Sequence, residues 1–140
     1  MPAPYSGKCL CGAVSVEIAS EPLVVLSCGC DHCQVGAGGV AQVIGKFAEK
    51  DIKVSGEENL NTFTFSDTGS GNPKEKMFCK TCGVTMWTIP GAAKGSARMV
   101  RTAVLKDGLA LKPKNEIYTI NRPAWVKPAD GANQFEKSSH

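Results

Sequence analysis

The residues of this 140-residue chain that could do chemistry are seven cysteines in three short clusters. The clusters are Cys9-Leu10-Cys11, Cys28-Gly29-Cys30-Asp31-His32-Cys33 and Cys79-Lys80-Thr81-Cys82. Closely spaced thiolates are typical zinc ligands; a structural zinc is closed by four protein ligands, whereas a catalytic zinc keeps one position open for water or substrate. Because seven cysteines are one short of two four-thiolate sites, the count indicates one closed site and one open site.

Disulfides are the main alternative use of these cysteines. An odd number of thiols does not pair completely, and the two side chains of a Cys-x-Cys segment point to opposite faces of an extended backbone. The chain starts Met-Pro-Ala-Pro, without a charged start and apolar run, so we expect no signal peptide and a cytoplasmic location. Metal binding is therefore favoured over disulfides and over a Cys-x-x-Cys redox pair.

The first and third clusters are expected to share one metal ion. Cys79 and Cys82, followed by Gly83, have the form of a zinc knuckle, which supplies only two ligands. Cys9 and Cys11 are the natural other half, and the resulting site would tie two distant strands together. The opposite pairing, in which the middle cluster joins one outer pair, stays possible but would leave two thiols without a metal.

The middle cluster then provides three ligands, Cys28, Cys30 and Cys33, within six residues. The fourth position would hold water, a substrate thiolate or another protein ligand. His32 directly precedes Cys33 and would have difficulty reaching the same ion, so we expect it to be a proton shuttle or hydrogen-bond donor nearby, or an exposed loop histidine. His140 is discounted because it is terminal.

Composition indicates one ordinary globular domain over residues 1–140, with frayed ends at about residues 1–4 and 136–140. No apolar run approaches the roughly 20 residues that span a bilayer, so no membrane partner is expected. The formal net charge is +3, but seven thiolates on two divalent ions would contribute three net negative charges. Because the lysines are also scattered, we expect no nucleic-acid partner. The oligomeric state is left open.

Alternating apolar residues and many turn signals predict an all-β domain. One face of the first alternating segment carries Val14, Val16 and Ile18. A single helical turn is possible after Cys30. The predicted strands cover residues 12–18, 23–26, 40–44, 52–54, 61–65, 76–78, 85–89, 99–105 and 116–120.

The cysteine motifs, with their neighbours, resemble the glutathione-dependent formaldehyde-activating enzyme family, which shares a domain with centromere protein V. The matching segments are Gly7-Lys8-Cys9-Leu10-Cys11-Gly12-Ala13-Val14, Cys28-x-Cys30-x-x-Cys33 with Gly36-Ala37, Phe78-Cys79-x-x-Cys82-Gly83, and Pro113-x-x-Glu116-Ile117-Tyr118 with Arg122-Pro123-x-Trp125. The resemblance implies the Mss4-like fold, a stack of small antiparallel sheets with a structural zinc.

The resemblance also implies ligands and an activity. It assigns the structural zinc to Cys9, Cys11, Cys79 and Cys82, and a second, catalytic and potentially labile zinc to Cys28, Cys30 and Cys33. The implied activity is that of a carbon–sulfur lyase, which interconverts formaldehyde plus glutathione with S-hydroxymethylglutathione. A small molecule, such as glutathione or a thiol adduct, is therefore the expected partner.

Three departures from the family pattern put the substrate in doubt. Gly29 stands where the family often has histidine, Gln34-Val35 replaces a common basic residue, and residues 101–105 replace the usual Gly-Thr-Leu-Asp segment. The fold could thus serve as a lyase, decarboxylase or hydrolase in specialised metabolism, or as a non-catalytic zinc-stabilised interaction module. Arginines could hold a substrate carboxylate, although an ordinary surface position is more common for them. Tryptophans could line a pocket, although a position in the apolar core is more common. These candidates are Arg98, Arg101, Arg122, Trp87 and Trp125.

Overall fold

Strands make up most of the regular structure in the computed structural model, which describes residues 3–67 and 71–138. The described part also contains one α-helix, α1 (Asp31–Ala37), and several short 3-10 turns. The strands are β1 (Tyr5–Lys8), β2 (Ser15–Ile18), β3 (Val24–Cys28), β4 (Gln42–Ala48), β5 (Ile52–Ser55), β6 (Leu60–Phe65), β7 (Lys74–Cys79), β8 (Thr85–Pro90), β9 (Ala97–Arg101), β10 (Asn115–Ile117) and β11 (Asn133–Gln134).

These strands form two sheets, and the predicted all-β class is confirmed. The smaller sheet has the order β1-β2-β5, and the larger has the order β11-β10-β3-β4-β9-β8-β7-β6. Most pairs are antiparallel, but β10 runs parallel to both β3 and β11. The sequence did not predict these parallel pairings, because β10 is connected to β3 by a long stretch of chain and no local turn motif indicates which strands pair.

The main core contains side chains from both sheets. The predicted apolar face of the smaller sheet, Val14, Val16 and Ile18, is at most 2% exposed. From the larger sheet, Phe47 and Val100 join the same cluster. Alternation along β4 sends Gln42 and Ile44 to the opposite face of the larger sheet from Phe47. That second face holds a smaller cluster around Leu26, Cys28 and Ile44.

The sequence did not predict β1 and β11, and other elements differ from their predicted bounds. The strand expected over residues 99–105 ends at Arg101 and gives way to a 3-10 turn, Thr102–Val104. Gly108 packs closely under this turn, since a Cβ there would lie 1.8 Å from the Thr102 carbonyl oxygen. The strand expected over residues 116–120 likewise ends at Ile117, and α1 is longer than the single turn anticipated.

The C-terminal segment is hydrogen-bonded to β10 and to the residue that follows it. The Tyr118 N–H donates to the Lys137 carbonyl at 2.9 Å, and the Phe135 N–H donates to the Glu116 carbonyl at 2.9 Å. The expectation of frayed ends stays a prediction, and residues 1, 2, 139 and 140 lie outside the described part. In the described residues, no helix is long and apolar enough to cross a membrane.

Candidate metal centres

Four of the cysteines come together from two distant parts of the chain. The sulfurs of Cys9, Cys11, Cys79 and Cys82 all lie within 4.8 Å of one another. The Cys9–Cys11 and Cys11–Cys79 sulfur pairs are each 3.6 Å apart, far beyond the roughly 2.05 Å of a disulfide. Tetrahedral zinc with Zn–S bonds of about 2.3 Å requires sulfur separations of about 3.8 Å. The donor set and its spacing therefore fit one zinc ion.

Two turns of the same design present these sulfurs. In the first, the Cys9 N–H donates to the Val14 carbonyl at 3.0 Å, and the Gly12 N–H donates to the Cys9 carbonyl at 3.2 Å. In the second, Cys79 pairs with Val84 and Gly83 with Cys79, both at 2.9 Å. Gly12 and Gly83 have φ values of 80° and 77°, a conformation that glycine adopts without strain.

Backbone and side-chain donors also surround these sulfurs. The Cys82 N–H points at the Cys79 sulfur at 3.5 Å and lowers the pKa of that thiol to about 6. The Asn59 amide donates to the same sulfur at 3.2 Å and to the Thr81 hydroxyl at 3.1 Å. Asn59 lies twenty residues before Cys79 in the chain, and nothing in the sequence pattern marks it.

We expect Asn59→Ala to weaken metal binding at this first site by about ten- to a hundredfold, because donors to a ligand atom orient it and stabilise its charge. Chelator competition on the folded protein measures the change. Asn61→Ala is the matched control, since the Asn61 carboxamide accepts from the neighbouring Thr62 N–H and is exposed. Equal affinities for the wild type and Asn59→Ala would contradict this role.

The second group, Cys28, Cys30 and Cys33, forms where β3 meets α1. Cys28 ends β3 and is 5% exposed, whereas Cys30 caps α1 by accepting from the Cys33 N–H at 3.4 Å. The three sulfurs lie within 4.8 Å of one another, and no fourth Cys, His, Asp or Glu joins them in residues 3–67 and 71–138. A metal bound here would keep one position free of protein ligands, as in a catalytic site.

Hydrogen bonds among these three thiols shift their pKa values in opposite directions. Hydrogen bonds from Cys28 and Cys33 lower the pKa of the Cys30 thiol, and the bond between Cys28 and Cys30 raises the pKa of Cys28. One thiolate is thus stabilised by two neighbouring S–H groups. Such a cluster is suited to exchange its remaining protons for a divalent cation.

His32 does not join the sulfurs. Its Nε2 atom lies 3.1 Å from the Asp67 carboxylate, and its ring meets the Phe65 ring edge-on at 4.6 Å between centroids. The proton-shuttle role stays a prediction. Trp87 is buried in the core at 2% exposed, but Trp125 is 77% exposed, so the core role expected for Trp125 is wrong.

A strained residue borders the second group. Tyr118 has φ of 54°, which is uncommon outside glycine, and burial raises the pKa of its hydroxyl, with a further contribution from the cysteine charges. The Tyr118 carbonyl would lie 3.0 Å from a Cβ at Gly29, so the glycine in this position allows a close backbone approach. A side chain at residue 29, such as the histidine common in the family, would crowd the Tyr118 carbonyl oxygen.

The three candidate arginines have different surroundings. Arg122 pairs with the Glu116 carboxylate, whereas Arg98 lies 3.6 Å from the Glu49 carboxylate and 4.9 Å from the centre of the Trp87 ring. Arg101 contacts no carboxylate in the described residues. Burial lowers the pKa of its guanidinium, and the charges of Cys33, Cys28 and Cys30 oppose that shift.

Arg101 also lines an open cavity of about 410 Å³. Helix α1 contributes Gly36 and Ala37, and β4 contributes Gln42. The cavity therefore lies between the helix of the second cysteine group and the Gly83 turn of the first group. Its size is within the usual range for a small-molecule site.

An all-β domain with one closed four-thiol group and one open three-thiol group is typical of small proteins whose cysteines can hold metal ions. The chain belongs to the glutathione-dependent formaldehyde-activating enzyme family, whose profile matches residues 4–121. The family membership inferred from the cysteine motifs is confirmed.

The sequence identities to individual proteins are low. A Schizosaccharomyces pombe protein described as an uncharacterized lyase is 26% identical over 83 residues, which are 59% of this chain and 56% of the relative. The chain thus spans just over half the length of that relative. The crystal structure of a Rhodobacter sphaeroides protein matches this structure with a TM-score of 0.57 at 23% sequence identity. The match covers 93% of this chain and 98% of the other chain, and it supports the fold.

Proposed function

We propose that this protein is a zinc-dependent carbon–sulfur lyase that acts on the adduct of a thiol and a small carbonyl compound. The observation that supports it most directly is the three-thiol group, which has no fourth protein ligand in the described residues. The helix that carries Cys33 also lines the cavity, through Gly36 and Ala37. The family description and the lyase description of the yeast relative agree with this class of reaction. Formaldehyde and glutathione are the proposed reactants.

The donor set favours sulfur chemistry over hydrolysis. When bound, zinc would supply a position for the substrate sulfur and favour its thiolate form. Three cysteine thiolates donate strongly, which leaves little electrophilic character for generating hydroxide. Cys28, Cys30 and Cys33 hold the site together, and the positive charge of Arg101 offsets part of the negative charge that accumulates there.

The proposed reaction is balanced without an oxidant or reductant. In the synthetic direction, the thiolate sulfur attacks the carbonyl carbon, a C–S bond forms, and the C=O π electrons move to oxygen. That oxygen takes up the proton that the thiol released. In the lyase direction, the C–S bond breaks, the carbonyl is restored, and the proton returns to sulfur.

A second candidate is the same chemistry on a different thiol. Arg101, in a segment that departs from the family pattern, interacts electrostatically with the cysteines and lines the cavity, so a thiol other than glutathione is the alternative substrate.

The test is NMR exchange spectroscopy of formaldehyde with glutathione, with and without the zinc-loaded protein. We expect the interconversion to be accelerated at least about tenfold over the uncatalysed exchange, because positioning and charge stabilisation commonly give at least this much. Zinc alone and heat-unfolded protein are the controls. If neither glutathione nor any smaller thiol exchanges faster with the protein present, the lyase proposal is wrong.

A further inference from the structure

Arg101 is placed by strand register on the same face of the sheet as the open cysteine group. It pairs with Ile44 across β9 and β4, and Cys28 pairs with Gln42 across β3 and β4. Directly paired residues share a face, and so do positions two apart on one strand. Arg101, Gln42 and Cys28 therefore all project from one face, towards the second group.

Two nitrogens of the Arg101 guanidinium group donate hydrogen bonds within the protein, and the third has no partner in the described residues. Its Nη1 donates to the Met99 carbonyl at 3.1 Å, and its Nη2 donates to the Thr88 hydroxyl at 2.6 Å. Its Nε is buried without a hydrogen-bond partner in the described residues. The two bonds fix the orientation of the fork, while a buried donor without a partner costs stability unless a ligand or water satisfies it.

Gln42 provides a second polar group with spare capacity. The residue is 8% exposed and lines the same cavity, and its side-chain amide bonds to no other described residue. The buried Nε of Arg101 lacks a partner in the described residues, and the Gln42 amide lies at the same cavity. A bound polar ligand would satisfy both groups.

The ligand that fits is an anion with planar geometry. A guanidinium with no carboxylate partner among residues 3–67 and 71–138 can bind a ligand carboxylate through charge-assisted hydrogen bonds, and the glutamine amide can add a neutral donor. A role limited to balancing the cysteine charge would not require Arg101 to line the cavity or Gln42 to lack a partner.

We propose that Arg101, assisted by Gln42, binds a carboxylate of the substrate, so that this site selects thiols and thiol adducts that carry an acidic group. The inference rests on the proposed function, since it names the substrate class of the same site. Arg101 is in this account a specificity-determining residue, and the cysteines remain the residues that hold the metal.

The experiment measures binding apart from turnover. Cobalt(II) replaces zinc, and thiol binding is followed by the change in sulfur-to-cobalt absorption. The probes are 3-mercaptopropionate and its neutral analogue 3-mercaptopropionamide. We expect the wild type to bind the acid at least about tenfold more tightly than the amide, because a hydrogen bond to a charged group is worth that much or more.

Variants identify the residue responsible. Arg101→Gln should remove the preference by weakening acid binding much more than amide binding, and Arg101→Lys should restore part of it. Arg98→Gln is the matched control, because Arg98 is on the same strand but is engaged by Glu49 and Trp87. Circular dichroism and metal content establish that each variant is folded and loaded.

The proposal is overturned by no preference in the wild type, by an unchanged preference in Arg101→Gln, or by equal weakening of both thiols in that variant. Equal weakening would mean that Arg101 only balances the cysteine charge. Failure to bind either thiol would also overturn it. A preference that depends on Arg101, without any exchange catalysis, would uphold the carboxylate site and contradict the lyase proposal.

Discussion

Cys9→Ser is expected to destabilise the whole domain by about 5 kcal/mol or more. Metal binding at structural four-thiolate sites contributes on the order of 10 kcal/mol to folding, and Cys9 is 2% exposed within the main core. A loss of this size should lower Tm by roughly 10–20 °C in a chain of this length. Thermal unfolding followed by circular dichroism measures it.

Leu10→Ala is the control, because Leu10 lies between the same two cysteines but is 85% exposed. We expect its Tm to stay within a few degrees of the wild type. If Cys9→Ser does not yield soluble protein, the wild type treated with excess chelator should show the same loss of stability. A chelated protein that melts at the wild-type temperature would show that the four-thiol group is not a structural metal site.

Cys30→Ser is expected to leave the fold intact and to reduce carbon–sulfur exchange by at least about a hundredfold. Removing a direct ligand should cost more than the ten- to a hundredfold loss seen for residues that only orient ligands. Serine keeps the helix cap, since its hydroxyl can accept from the Cys33 N–H as the Cys30 sulfur does. Exchange spectroscopy and thermal unfolding, on the same samples, separate the two effects.

Val35→Ala is the control for this helix, because the Val35 side chain is 84% exposed and has no ligand role. Its exchange rate and Tm should both match the wild type. An active Cys30→Ser protein would remove the second cysteine group from the proposed mechanism, whereas an unfolded one would assign this group a structural role as well.

Cysteine spacing made much of the candidate site predictable from the sequence. Short-range spacing constrains which sulfurs can meet, and the glycine after Cys11 and after Cys82 marks the turns that present them. The apolar alternation at Val14, Val16 and Ile18 likewise predicted a buried face, because period-two patterning follows directly from strand geometry.

The rest depended on long-range contacts that local patterns do not encode. Asn59 reaches Cys79 only because the β6–β7 pairing places Leu60 opposite Cys79. Arg101 was one of three candidate arginines, and only the folded chain shows that Arg98 and Arg122 already have carboxylate partners. The turn at Thr102 was missed because an apolar run resembles a strand until the close packing of Gly108 is known.

The division between a closed and an open metal site is tested most directly by zinc content per folded chain. Protein purified without added zinc is analysed for the wild type and for Cys30→Ser, with circular dichroism on the same samples. We expect two equivalents in the wild type and one in Cys30→Ser, with unchanged spectra. One equivalent in the wild type, or loss of both from the variant, would contradict two independent sites.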